Sequence, residues 1–105
     1  MNRGHSLSDL ELLVLLALLR LAPEAYGVPI AREIEATAKR SLALSTVYAT
    51  LDRLEKKGLV KSELGEATKA RGGRAKRYFQ VTGLGVREVR STRQALIGMW
   101  QGVLA

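Results

Sequence analysis

The chain has 105 residues, no cysteine and a net charge of +7. That length suits one domain around one hydrophobic core, while the missing thiols exclude a disulfide scaffold, a thiolate nucleophile and every cysteine-ligated zinc site, and fit a reducing cytoplasm. With 47% hydrophobic residues but only five aromatic ones, the core is aliphatic, which favours helices.

The opening segment, Met1 to Ser6, is short and polar and reads as a loose arm. Ser8 followed by Glu11 forms an S-x-x-E capping box, so a first helix is expected from about Asp9 to Ala22. Its leucines cover nearly the whole circumference, which a helix with a single apolar stripe would not do. A partner subunit is the expected second cover, with Leu12, Leu16 and Leu19 in the interface. The longest apolar run, Leu12 to Leu19, falls far short of the roughly 20 residues that span a bilayer, so neither a transmembrane helix nor a signal peptide is expected.

Pro23 and the Tyr26-Gly27-Val28-Pro29 segment break the pattern, and Pro29 suits the first turn of a second helix running to about Lys39. Ile30, Ile34 and Ala38 place its apolar face on one side. Ser45 is the expected N-cap of a third helix from Thr46 to Lys57, stopped by Gly58 in a left-handed conformation. Two strands follow, Leu59 to Leu64 and Arg77 to Val81, joined by a connection from Gly65 to Gly73 that is too long for a tight turn. Thr82 caps a last helix from about Leu84 to Val103. Its Val86, Val89, Leu96, Trp100 and Val103 repeat at nearly coiled-coil spacing, with Arg93 interrupting. The order helix, helix, helix, strand, strand, helix is mainly α with a small β-hairpin. It reads as a winged helix-turn-helix over residues 1–82 and a dimerisation helix over 83–105, with Val89, Leu96, Trp100 and Val103 on the dimer seam.

Charge placement points the same way. Residues 1–66 carry nine basic and nine acidic side chains, whereas residues 67–105 carry eight basic and one acidic. A local basic field points to a polyanion, with nucleic acid first, double-stranded DNA once the winged-helix plan is added, and a membrane surface second. On a helical wheel the third helix turns Val47, Leu51, Leu54 and Gly58 inward and Thr46, Ala49, Thr50, Arg53, Lys56 and Lys57 outward. Ser45 at the helix start and this outward face form the candidate major-groove surface, with Arg53 the best base reader. Lys69, Arg71, Arg74, Lys76 and Arg77, with no acid among them, form a candidate phosphate clamp in the wing. Tyr48 has two readings, a hydroxyl on a phosphate or a ring packed between helix and wing. Of Tyr78 and Phe79, strand alternation sends one to the core and the other outward.

No catalytic set is present. His5 is the only histidine, so neither a histidine-based triad nor a histidine-rich metal site can form within one chain. Glu33 and Glu35 read as a solvated face, and Gly83-x-Gly85 lacks the remainder of a dinucleotide loop. Neither an enzyme nor a cofactor is expected.

Four stretches carry a family resemblance: Leu12 to Leu19, Ala25 to Ile30, the Thr46-x-Tyr48-x-x-Leu51-x-Arg53-Leu54-Glu55-x-x-Gly58-Leu59 run, and Gly73-Arg74-Ala75-Lys76-Arg77-Tyr78-Phe79. Together they resemble the PadR family of bacterial regulators in its short form, over about Ser8 to Val103. The resemblance implies a homodimer paired through the C-terminal helix and repression from a palindromic operator. It also implies, for some members, release of DNA on binding an aromatic effector near the dimer interface, where Trp100 lies; a lone Trp in a seam is more often a packing anchor. The wing, Glu66 to Gly73, is longer than in many relatives. The rival readings are a winged module that docks an acidic protein partner without reading DNA, and an amphipathic membrane binder, against which Gly72-Gly73 argues.

Overall fold

A computed structural model of the chain describes residues 7–65 and 76–103. The elements run α1 (Asp9–Leu21), α2 (Gly27–Ala38), α3 (Leu44–Lys56), β1 (Val60–Leu64), β2 (Arg77–Val81) and α4 (Gly83–Trp100). The expected capping box starts α1: the Glu11 N–H donates to Ser8 Oγ at 3.1 Å and the Ser8 N–H donates to Glu11 Oε1 at 2.9 Å. Val14, Leu15, Ala17 and Leu18 turn inward. Ile30 and Ile34 of α2, Val47, Leu51 and Leu54 of α3, and Leu59, Val60 and Phe79 of the hairpin region complete one aliphatic core. Burying each of the larger side chains contributes about 2 kcal/mol, so α3 is fixed by its inner face before its outer face meets anything.

Two helix starts differ from expectation. Helix α2 begins at Gly27, with Tyr26 as N-cap, and Pro29 is its third residue rather than its first. Proline is tolerated there because the first amides of a helix have no intrahelical acceptor; the first such bond is Ile30 N–H to the Tyr26 carbonyl, 3.1 Å. Helix α3 begins at Leu44 with Ala43 as N-cap and no side-chain cap, so Ser45 lies inside the first turn. Apolar residues on either side of this start, Leu42 packed against the core and Val47 fully buried, occupy the positions of a hydrophobic staple, and they outweigh the capping preference of Ser45.

The end of α3 meets expectation. Gly58 has φ +78°, its N–H donates to the Glu55 carbonyl, and the Leu59 N–H donates to the Leu54 carbonyl, both at 3.0 Å. This pairing is a Schellman motif, and it turns the chain directly into β1. The strands are antiparallel with Val60 opposite Val81 and Ser62 opposite Phe79. Phe79 is the ring on the core side, and its N–H donates to the Ala25 carbonyl at 2.9 Å. Tyr78 lies on the other face, edge-on to Tyr26 with ring centroids 5.5 Å apart.

Thr82 caps α4 through its Oγ1, which accepts from the Gly85 N–H at 3.1 Å and donates to the Gly58 carbonyl at 2.8 Å. Only the first half of α4 touches the domain. Val89, expected on the dimer seam, belongs instead to the chain's own core, because the N-terminal turns of α4 lie on the α1 and β2 layer. Beyond it Leu96, Ile97, Met99, Trp100 and Val103 are exposed, and the molecule is elongated, 55 × 32 × 21 Å. Among the described residues no helix is long and apolar enough to cross a membrane.

Candidate nucleic-acid interface

Helix α3 shows the solvent a surface that the wheel placed only in part. Ser45, Ala49, Asp52, Arg53 and Lys56 are exposed, and Thr46 and Lys57 are half-buried. Thr50, expected outward, is fully buried. Its hydroxyl donates to the Thr46 carbonyl at 2.8 Å, and this internal partner removes most of the cost of burying it. With the Thr50 flank buried, the outward centre of the helix moves to Ser45, Ala49, Asp52 and Lys56.

Arg53 and Lys57 are both organised by a residue that the sequence indicated only as a cap. The Glu11 side chain is 4% exposed. Its Oε2 accepts from Lys57 Nζ at 2.8 Å and lies 3.7 Å from Arg53 Nε, while Oε1 holds the Ser8 amide. Burial pushes this carboxyl up, but the hydrogen bond from the Lys57 ammonium and that from the Ser8 backbone outweigh it and hold the group below the usual carboxylate range. Lys57 is therefore tied to Glu11 rather than directed at solvent. Arg53 keeps a half-exposed guanidinium, 51%, steadied by an Nη2 bond to Thr50 Oγ1 at 3.3 Å.

On the opposite flank α3 is linked to the hairpin. Ser62 Oγ donates to Glu55 Oε2 at 2.9 Å and accepts from Arg77 Nη1 at 3.1 Å. A groove between helix and hairpin is lined by Tyr48, Ala49, Asp52, Glu55, Ser62 and Arg77. Of the two readings of Tyr48, the structure shows the packed ring. Its ring lies 6.5 Å from Phe79 and its phenol oxygen sits where a Cβ on Gly27 would stand, yet it remains 44% exposed. At the base of the wing, Lys76 Nζ donates to the Tyr26 hydroxyl at 2.8 Å and stands 3.9 Å over that ring's centroid. Lys69, Arg71 and Arg74 lie outside the described residues.

Ser45 and Ala49 thus lie on the outward side of α3, with Tyr48 and Arg77 on its hairpin flank and Arg53 on its Glu11 flank, whereas Thr50 is buried and Lys57 is held by Glu11. Glu11, Asp52, Glu55 and Ser62 are the residues that the sequence did not single out for this surface. Only Glu11 carried a local signal, and that signal concerned helix capping. Of the expected dimer residues, Leu16, Leu19, Leu96, Trp100 and Val103 are exposed, and Leu12 is half-buried against the core.

The chain matches the Transcriptional regulator PadR-like family over residues 15–91. No curated protein matches it. Among solved structures it is similar to a PadR family transcriptional regulator from Eggerthella lenta, with 28% identity, a TM-score of 0.69 and coverage of 87% of this chain and 77% of that one. It is also similar to a PadR-like transcription factor from Bacteroides fragilis, with 25% identity, a TM-score of 0.73 and coverage of 90% and 85%. A transcriptional regulator from Clostridium thermocellum, 24% identical with a TM-score of 0.71 over 87% and 85% of the two chains, shares the fold. The four helices and the two-stranded hairpin are the winged-helix architecture of these proteins, and the chain belongs to the PadR-like family of transcriptional regulators.

Proposed function

We propose that the chain is a sequence-specific DNA-binding repressor that works as a homodimer on a palindromic operator. Residues 1–82 form the DNA-binding unit and residues 83–105 the dimerisation helix. The observation that carries this reading is the Arg77–Ser62–Glu55 link, which sets the basic hairpin beside the outward side of α3, so that a duplex meets both at once. In this reading α3 enters the major groove, Ser45, Thr46 and Ala49 permit close approach, and Arg53 reads a base edge. Tyr48, Lys76 and Arg77 contact the backbone, joined by Lys69, Arg71 and Arg74 of the wing.

The apolar residues exposed on α4, Leu96, Ile97, Trp100 and Val103, together with Leu16 and Leu19 of α1, supply the contact between copies. Trp100 is its anchor, and an aromatic effector, where one acts, binds beside it. Pairing places two α3 helices about 34 Å apart, one turn of the duplex.

The test is to retain sheared genomic DNA on the purified protein at moderate salt and to sequence what stays bound. A shared motif with dyad symmetry is expected. Retention of acidic proteins in place of DNA would favour the protein-docking alternative.

A further inference from the structure

Asp52 is a carboxylate at the centre of a surface that otherwise suits a polyanion. It is exposed on the outward side of α3, in the groove shared with Arg77, and makes no hydrogen bond or ion pair among the described residues. The nearby acid Glu55 differs in accepting from Ser62. Lys56 is one turn further on the same face, where an exposed i, i+4 pair is too weak to hold the carboxylate away from a duplex.

Resting on the DNA-binding reading above, we propose that Asp52 determines operator specificity by accepting a hydrogen bond from the exocyclic amine of a cytosine in the major groove. Guanine offers only acceptors there, and thymine offers an acceptor and a methyl group, so both repel or fail to pair with a carboxylate. Adenine offers an amine but sets its N7 acceptor beside it, which opposes the second carboxylate oxygen. Cytosine presents the amine next to a C–H edge. The short side chains of Ser45 and Ala49 let the helix come near enough for a side chain as short as aspartate to reach. Repulsion from phosphates at every other register makes the same carboxylate a device against non-specific binding.

The experiment is selection from a randomised duplex library by the full-length chain and by its Asp52→Ala and Asp52→Asn variants. The unmodified chain is expected to enrich a cytosine at one position of each half-site. With Asp52→Ala that position becomes degenerate, discrimination there falls by about 10-fold, and binding to random duplex tightens, while the rest of the motif persists. With Asp52→Asn the same position shifts towards adenine, which an amide pairs through N6 and N7. An unchanged motif in Asp52→Ala, or uniform loss at all positions, would overturn the proposal. Absence of any enrichment by the unmodified chain would instead remove the DNA-binding reading on which it rests.

Discussion

Glu11 uses its two carboxylate oxygens for two purposes, one closing the first turn of α1 and the other anchoring Lys57, the C-cap of α3, at 46 residues' separation. Glu11→Gln keeps the shape but leaves Lys57 without its counter-ion. Because Lys57 is 29% exposed, water recovers part of the loss, and a destabilisation of about 1–2 kcal/mol at neutral pH is expected from denaturant titration. The folded-state pKa of Glu11 is lowered, so its contribution is complete above the unfolded glutamate value, about 4.3, and is lost as pH falls through the folded value. The gap between wild type and Glu11→Gln should therefore narrow on acidification. A gap that stays constant down to pH 3 would contradict this account. A second residue-scale prediction concerns Gly27, whose missing Cβ leaves room for the Tyr48 hydroxyl. Gly27→Ala is expected to displace that ring and to weaken duplex binding while the far-ultraviolet circular dichroism stays unchanged.

At the scale of elements, the turn from α3 into β1 sets the angle between the recognition surface and the hairpin. Gly58→Ala forces a Cβ into a left-handed conformation, φ +78°, and is expected to cost more than about 1 kcal/mol in thermal or denaturant unfolding. That turn was legible in the sequence, as were the capping box of α1, the cap of α4 by Thr82 and the hairpin. The turn and the two caps depend on residues close together along the chain, and the hairpin on two consecutive strands. The starts of α2 and α3 were less legible, since Pro29 is allowed throughout a first turn and Ser45 competes with the apolar pair Leu42 and Val47. The outward face of α3 was legible only in outline. Its rotation depends on the burial of Thr50 in the tertiary fold and on a carboxylate contributed by Glu11, neither of which a wheel of α3 contains. Val89 followed the same logic, because an apolar repeat in α4 does not tell which residues meet the chain's own core and which project beyond it.

At the scale of the molecule, the domain ends before α4 does, and the exposed stripe from Leu96 to Val103 is the surface on which the proposed homodimer depends. Trp100→Glu changes an exposed residue and should leave the fold intact while shifting the protein from dimer to monomer in sedimentation. Operator affinity should then fall by at least about 100-fold, as expected when two linked contacts become one. The central claim, that α3 and the basic hairpin together grip the duplex backbone twice over, is tested most directly by measuring affinity for the selected operator by fluorescence anisotropy across graded salt. A dimer neutralising roughly eight phosphates should give a log-log slope of about −7. A flat salt response, or no binding at low ionic strength, would contradict it.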